Sequence, residues 1–261
     1  MKRCGRQMYK PALQFQNVSF AYEKEKLPIL QNFHFHINEG EFVSIIGHSG
    51  SGKSTLFKLI TGLEQPADGI IFLHNQQKSH RLGQVGYMPQ QDLLLPWRTI
   101  VENAALPLEI KGVHKQKAHS QVLALLDEFG LKGVENSFPS ALSGGMRQRV
   151  SFLRTILSGS QILLLDEPFS ALDAITRLTM QEWLLAQWQK RKETILFITH
   201  DVNEALFLSD RIFIFTETPT SKLEEFEVPL KRPRVLKDLN MPAVIELKDH
   251  LVDVLRARVK V

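Results

Sequence analysis

The chain has 261 residues, of which 43% are hydrophobic and 23% are charged, and this composition excludes an intrinsically disordered protein. It carries 32 Lys and Arg against 28 Asp and Glu, but four of the basic residues and no acidic one lie in the first ten positions, so we predict a basic tail at residues 1–11 and a neutral body. Cys4 is the only cysteine, which excludes a disulfide framework, and no apolar run is long enough to predict a secretory signal or a membrane-spanning helix.

Alternating apolar residues predict two strands near the N-terminus, at Leu13–Phe20 and Phe33–Ile37. A short turn leads to a third strand, Glu41–Ile46, whose almost continuous apolar side chains indicate burial on both faces. A glycine-rich turn follows this strand. Apolar residues at helical spacing then predict a helix at Lys53–Thr61 that stops at Gly62.

The second half of the chain alternates between helices and strands, which predicts an α/β fold with a mainly parallel sheet and helices on both faces. Residues from about 92 to 160 are mainly helical, so we expect them to form a lobe of their own within a body at 12–216. The predicted elements are helices at Ile100–Leu108, Lys115–Phe129 and after Leu142, strands at Ile162–Leu165, Ile195–Ile198 and Ile212–Phe215, and helices at Ile175–Arg191 and Pro242–Arg258.

A short extension at 217–261 follows the last of these strands and also contains a possible hairpin. It includes the basic cluster Lys231–Arg234. We interpret this cluster as a solvated loop, with contact to anionic lipid or a sensed anion as the alternative.

The glycine-rich turn fits the pattern G-x-x-x-x-G-K-[ST], which forms a loop that holds phosphate groups. Its glycines allow a tight turn, and its backbone N–H groups form an anion site together with the first turn of the next helix. Lys53 supplies a cation to the β- and γ-phosphates, and the Ser54 hydroxyl can ligate Mg²⁺. The expected nucleotide-binding residues of this loop are Gly47, His48, Ser49, Gly50, Ser51, Gly52, Lys53, Ser54 and Thr55.

A second chemical site follows the apolar strand Ile162–Leu165, which ends in two carboxylates. Asp166 is placed to hold Mg²⁺, and Glu167 to act as the general base that polarises the attacking water. The alternative is an ordinary acidic strand end before Pro168. The phosphate loop about 110 residues earlier favours the catalytic interpretation, because parallel strands align their carboxyl ends.

The segment Leu142–Arg149 reads L-S-G-G-M-R-Q-R and resembles the signature motif of ATP-binding cassette (ABC) ATPases. The resemblance covers roughly residues 12–216. It implies the P-loop NTPase fold of the ABC type, with a RecA-like α/β core, an N-terminal antiparallel β subdomain and a helical signature subdomain. It also implies that ATP and Mg²⁺ are bound and that ATP is hydrolysed.

Further residues match motifs of that family. Tyr22 resembles the aromatic residue that stacks on adenine, with Phe20 as a competitor. Gln90 resembles the glutamine that contacts the metal and the γ-phosphate, with Gln91 as a rival. The resemblance also assigns roles to Asp173, in the loop that communicates between sites, and to His200, the switch histidine.

The resemblance implies a head-to-tail homodimer that encloses two ATP molecules. Ser143, Gly144 and Gly145 of one subunit would bind the γ-phosphate that Lys53 of the other subunit holds. Closure on ATP and reopening after hydrolysis would drive the coupled machine.

A lone cassette of this length resembles an importer subunit. The segment Leu93–Trp97 is similar to the nitrate, sulfonate and taurine branch of importer ATPases, which includes ATPases proposed for pyrimidine precursors of thiamine. Its apolar surface would receive a coupling helix of a membrane permease, with Trp97 as a core residue as the alternative. We expect the chain to lie at the cytoplasmic face of the membrane and to work indirectly with a solute-binding protein. We expect no nucleic-acid partner. A soluble or export-type ABC ATPase is the other hypothesis.

Overall fold

A computed structural model describes residues 10–23, 27–48, 50–215 and 219–257. The basic residues predicted for the tail, apart from Lys10, therefore lie outside the described residues. The strands are β1 Pro11–Phe20, β2 Leu30–Asn38, β3 Phe42–Ile46, β4 Asp68–Leu73, β5 Gln76–Gln77, β6 Gly86–Met88, β7 Ile162–Asp166, β8 Thr194–Ile198, β9 Arg211–Ile214 and β10 Glu224–Glu227. The helices are α1 Lys53–Thr61, α2 Ile100–Ile110, α3 Lys115–Leu126, α4 Gly144–Ile156, α5 Ala174–Arg191, α6 Val202–Leu208 and α7 Pro242–Arg256.

The first sheet is antiparallel and has the strand order β2-β1-β4-β5. The alternation along β1 and β2 places one set of side chains inside, and Phe15 meets Phe33 edge-on at 5.7 Å between ring centroids. The predicted strands Leu13–Phe20 and Phe33–Ile37 are confirmed. The short strands β4 and β5, which complete this sheet, were not predicted.

The second sheet has the order β10-β9-β3-β8-β7-β6, in which every neighbouring pair except β10 and β9 is parallel. All residues of β3 and β8 are buried, as the uninterrupted apolar runs predict. Because β3, β7 and β8 are adjacent and parallel, the loops that leave their carboxyl ends meet at one edge of the sheet. Those loops contain the phosphate loop, Asp166 with Glu167, and His200.

Three helices, α2, α3 and α4, lie between β6 and β7 in the sequence, and α2 packs against both α3 and α4. Their core continues into α5 through aromatic contacts, in which Trp183 lies 5.3 Å from Phe129 and 5.4 Å from Phe152 between ring centroids. The helices predicted in this part of the chain are confirmed, although α3 ends at Leu126 rather than at Phe129, because a turn that leads to Gly130 follows it.

The interpretation of Lys231–Arg234 as a solvated loop is wrong, although Lys231 itself is exposed. Arg234 is 5% exposed and donates hydrogen bonds to carbonyl groups at the end of α6, while Arg232 Nε lies 2.8 Å from Asp210 Oδ1. The last turn of a helix leaves carbonyl groups without intrahelical partners, and the guanidinium groups satisfy them. Arg232 and Arg234 therefore fasten the extension to the body, and their guanidinium groups are not available for an anion.

Within the described ranges, no helix is long and apolar enough to cross a membrane. The helix α6, which follows His200 directly, was not predicted because it is only seven residues long.

Candidate functional site

The phosphate loop joins the carboxyl end of β3 to the first turn of α1. Gly50 and Gly52 adopt positive φ angles of 80° and 101°, a region that side chains other than glycine rarely occupy. A Cβ atom at Gly52 would also lie 2.8 Å from Ile29 Cγ2, so a larger residue at this position of the loop would collide with Ile29. Ser49 lies outside the described residues.

Lys53 is 7% exposed, and its ammonium group is held inside this loop. Its Nζ donates to the carbonyl oxygens of Gly47 and His48, at 2.8 Å each. Burial lowers the pKa of Lys53, whereas the nearby carboxylates of Glu167 and Asp166 raise it. The lysine is thus a cation that the loop has already oriented and largely removed from water.

Asp166 ends β7 and faces this cation. Burial is the main cause that raises the pKa of Asp166, and the adjacent negative charge of Glu167 adds to it. The Tyr87 hydroxyl donates to Asp166 Oδ2 at 3.4 Å, and burial together with this carboxylate raises the pKa of Tyr87 to about 12. A divalent cation at these oxygens would offset the repulsion, and the exposed Ser54 hydroxyl is a second hard oxygen donor on α1, so this donor set fits Mg²⁺.

Glu167 is the centre of a hydrogen-bonded group. Its Oε2 lies 3.3 Å from Gln90 Nε2 and 3.2 Å from His200 Nδ1. Its backbone has a φ angle of 44°, a left-handed conformation that costs roughly 1–2 kcal/mol for a residue with a side chain. The Glu167 N–H donates to Ile198 O at 2.9 Å, so the hydrogen bond to the neighbouring strand holds this strained turn. Gln90 and its rival Gln91 are both exposed, and Gln90 is the one whose side chain donates to Glu167.

One aromatic side chain stands beside the phosphate-loop helix. The Tyr22 hydroxyl lies 3.4 Å from Thr55 Oγ1, and Lys58 Nζ donates to it at 3.2 Å. Phe20, the competing aromatic residue, is 5% exposed and packs edge-on against Tyr22. Of the two rings, Tyr22 is therefore the one available to a flat ligand.

The L-S-G-G segment forms the start of α4, where Ser143 is the N-cap and its side chain accepts from Met146 N at 3.3 Å. A Cβ atom at Gly145 would lie 3.0 Å from Thr176 Cγ2, so this glycine lets α4 approach the first turn of α5. Gly144 lies beside Leu172 in the same approach. Asp173 caps α5 in the same manner, and both Asp173 and Ser143 are exposed.

An open cleft of about 580 Å³ lies beside this helix start, between Gln90–Leu93, Gly144–Gln148 and Ser170–Leu172. Arg147 Nε bonds Asp92 Oδ2 at 3.1 Å across one side of the cleft. The buried Asn103 amide, whose oxygen accepts from Leu95 N, fixes the neighbouring loop.

Trp97, at the end of that loop, is 72% exposed, so the alternative of a core tryptophan is wrong. Sequence patterns did not point to Tyr87, Asp92, Asn103 or Arg147, because their roles arise from tertiary proximity.

The structure thus brings together four residues that the sequence singled out: Gln90, Asp166, Glu167 and His200, with Lys53 at the same edge of the sheet. Ser143, Gly144 and Gly145 begin α4 beside the loop of Asp173; Gly144 lines the same cleft as Gln90, and Gly145 is buried. Such an arrangement combines an anion-binding loop, a cation, a carboxylate that could hold a metal ion and a carboxylate that could act as a general base, and these groups together can support phosphoryl transfer to water.

Comparisons with known proteins agree with this chemistry. The family model described as ABC transporter matches residues 30–170. The formylaminopyrimidine import ATP-binding protein of Halalkalibacterium halodurans is 51% identical over 222 residues, which cover 85% of this chain and 86% of that protein. The aliphatic sulfonates import ATP-binding protein of Bacillus cereus is 39% identical over 215 residues, covering 82% and 84%.

A solved structure of an ATP-binding cassette, described as a dimeric post-hydrolysis state bound to ADP and Pi, superimposes with a TM-score of 0.71 at 29% sequence identity. The match covers 84% of this chain and 100% of that chain. The fold class expected from the sequence is confirmed.

Proposed function

Because the chain belongs to the ABC transporter family and is an ATP-binding ATPase of that family, we propose that it powers the import of a small solute through a separate membrane permease. The observation that carries the chemical part of this proposal is the Glu167 carboxylate, which Gln90 and His200 hold beside Lys53 and Asp166.

The phosphate loop binds the nucleotide in this proposal. The backbone N–H groups of residues 47–55 and the Lys53 ammonium take the phosphate oxygens, and the Tyr22 ring stacks on adenine. Ser54, Gln90 and Asp166 would hold Mg²⁺, which neutralises charge on the phosphates when it is bound. The raised pKa of Asp166 supports this assignment, because a carboxylate that burial penalises gains most from a bound cation.

Hydrolysis needs a base for the attacking water and a group that responds to the γ-phosphate. Glu167 Oε2 accepts the proton of the water, and its left-handed backbone and its two side-chain partners fix its direction. His200 is the neighbouring donor, and its side chain, 64% exposed, is accessible to a phosphate oxygen. Gln90 links the metal site to the cleft that Asp92 and Arg147 border.

A second copy of the chain completes the site. Ser143, Gly144 and Gly145 begin a helix, and backbone N–H groups at a helix start favour an anion such as the γ-phosphate of the partner's ATP. Asp173, on the adjoining helix start, would communicate between the two sites. The dimeric cassette that resembles this chain supports a homodimer.

The surface that would meet the permease is the segment Leu93–Trp97 beside Gln90, through the apolar side chains that it exposes. Leu93 is 57% exposed and Trp97 is 72% exposed, and an amphipathic coupling helix would cover them. This contact would place the chain at the cytoplasmic face of the membrane, and a solute-binding protein would deliver the solute on the other side. We expect no nucleic-acid partner.

The solute that we propose is a pyrimidine precursor of thiamine of the formylaminopyrimidine type, because 51% identity joins this chain to an import ATPase named for that solute. An alkanesulfonate is the second candidate, supported by 39% identity to an aliphatic-sulfonate import ATPase.

The test is co-expression with a candidate permease and a candidate solute-binding protein, followed by reconstitution in proteoliposomes. We expect the chain to co-purify with the permease and to drive ATP-dependent uptake of formylaminopyrimidine but not of an alkanesulfonate or taurine. Uptake of the sulfonate alone would overturn the solute, and recovery without a permease, as a soluble or export-type ATPase, would overturn the importer.

A further inference from the structure

A buried polar chain behind the catalytic group has no role in the chemistry described so far. It consists of Thr199 after β8, Glu204 on α6, and Gln181 and Arg177 on successive turns of α5. Thr199 is 1% exposed, Glu204 5% and Gln181 4%. A carboxylate is rarely placed in such a position without a purpose, because its burial is costly unless donors surround it.

Glu204 receives a donor on each of its two oxygens. The Thr199 hydroxyl donates to Glu204 Oε2 at 2.5 Å, and Gln181 Nε2 donates to Glu204 Oε1 at 3.0 Å. Burial raises the pKa of Glu204, whereas these hydrogen bonds and the charge of Arg177 lower it. The carboxylate is therefore the centre of the chain of polar groups and not an isolated buried acid.

One end of this chain reaches the switch histidine. Thr199 Oγ1, besides donating to Glu204, accepts the N–H of Asp201 at 3.0 Å. That N–H belongs to the peptide group between His200 and Asp201, so the orientation of the Thr199 hydroxyl fixes the backbone that carries His200. Removal of the acceptor on Glu204 frees the hydroxyl to rotate and loosens this peptide.

The other end reaches the loop of Asp173. Arg177 Nη2 donates to Leu172 O at 2.9 Å, which belongs to the peptide group between Leu172 and Asp173. Arg177 Nε lies 4.0 Å from Glu204 Oε1, and this buried N–H has no hydrogen-bond partner among the described residues. A shift of about 1 Å in the first turn of α5 would turn this ion pair into a hydrogen bond.

We propose that Glu204 is a positioning residue that couples the loop of Asp173 to the loop of His200 through Arg177 on one side and Thr199 on the other. This inference rests on the proposed function, in which Asp173 meets the second subunit and His200 meets the γ-phosphate. Contact of the second subunit with Asp173 would then be transmitted within one chain to the residue that contacts Glu167.

The test measures kcat and KM for Mg-ATP of the full chain, with thermal unfolding of every variant. Thr199→Val keeps the shape of the side chain but removes the hydroxyl, and Thr199→Ser keeps the hydroxyl. We expect Thr199→Val and Glu204→Gln each to lower kcat about tenfold and to leave the KM within twofold, because the phosphate loop is untouched. Thr199→Ser should retain kcat within twofold of wild type.

A double-mutant cycle distinguishes coupling from a merely structural role. If Arg177 acts through Glu204, the kcat of the double variant Arg177→Gln/Glu204→Gln should be no more than about threefold below the kcat of the less active single variant. Multiplicative losses, or folded Glu204→Gln and Thr199→Val proteins with kcat within twofold of wild type, would overturn the coupling. If either variant fails to fold, Arg177→Gln provides the test, because the Arg177 side chain is 31% exposed and its replacement is better tolerated. A kcat of Arg177→Gln equal to that of wild type would refute the proposal.

Failure of this inference and failure of the proposed function are distinguishable. If the wild-type chain hydrolyses ATP and the Glu204→Gln and Thr199→Val variants have the same kcat, only the coupling is contradicted. A wild-type chain that shows no hydrolysis, alone or with its permease, contradicts the proposed function itself.

Discussion

Replacement of Ser143 by Ala separates two roles of one side chain. Within its own subunit, Ser143 caps α4 by accepting from Met146 N at 3.3 Å. In the proposed dimer, the same exposed hydroxyl also binds the γ-phosphate of the partner's ATP. The two roles predict effects of different size on two different measurements.

The loss of an N-cap costs about 1 kcal/mol, which corresponds to a fall in Tm of about 2–4 °C for a chain of this size. A hydrogen bond to a charged group contributes roughly 1.5–3 kcal/mol, and the dimer contains two such contacts. The sum of about 3–6 kcal/mol would raise the Kd of the ATP-bound dimer roughly 10²–10⁴-fold.

Thr99→Ala is the matched control, because Thr99 caps α2 through an equivalent hydrogen bond to Glu102 N at 3.4 Å. Both variants should lose a similar amount of stability, measured by thermal unfolding without nucleotide. Sedimentation velocity with ATP in the Glu167→Gln background should show a dimer for Thr99→Ala and a monomer for Ser143→Ala at micromolar protein. A Ser143→Ala protein that dimerises like the control would refute the proposed contact across the dimer.

Three further variants test separate parts of the site and of the fold. Asp166→Asn should abolish Mg²⁺-dependent hydrolysis yet raise the nucleotide-free Tm at pH 7.5, because burial and the adjacent charge of Glu167 penalise the Asp166 carboxylate in the folded protein. The folded protein binds the Asp166 proton more tightly than the unfolded chain does, because the pKa of Asp166 is raised on folding. The loss of stability caused by the ionised carboxylate is therefore fully present above the raised pKa and disappears as the pH falls below the ordinary carboxyl pKa. A gain in Tm that is equal at pH 7.5 and at acidic pH would contradict this direction of the pKa shift. Tyr22→Ala should raise the KM for ATP roughly 5–150-fold through the loss of about 1–3 kcal/mol of stacking, whereas Tyr22→Phe should stay within twofold in steady-state kinetics; equal KM values for both would exclude stacking. Arg234→Met should lower Tm by roughly 6–12 °C, because it removes about 3 kcal/mol of buried hydrogen bonding, and Lys231→Met, at an exposed position, should leave the Tm unchanged in the same assay.

The parts of the site that the sequence could predict are those in which chemistry depends on neighbouring residues of the chain. The phosphate loop lies between a strand and a helix, and Asp166 and Glu167 end a strand, so local pattern and spacing suffice. The proximity of these two loops also followed, because parallel strands align their carboxyl ends, whereas the hydrogen bonds of Gln90 and His200 to Glu167 did not.

The rest of the structure depends on contacts between distant residues, which a single sequence does not display. Arg234 looked like part of a solvated loop, yet it lies against a helix end about 25 residues earlier. Asn103 and Glu204 are ordinary polar residues of helices by composition, and only the packing of a second element makes them buried and hydrogen-bonded. The sequence left a core tryptophan open as the alternative for Trp97, and its exposure of 72% excludes that alternative.

The most direct test of the account is the behaviour of Glu167→Gln with Mg-ATP. The amide keeps the shape of the side chain but cannot accept the proton of the attacking water. We predict that this variant binds ATP with an unchanged Kd, forms a stable dimer, and hydrolyses ATP at least 10²-fold more slowly than wild type, as the loss of a general base implies. Hydrolysis at the wild-type rate would show that Glu167 is not the base and would contradict the catalytic site described for this chain.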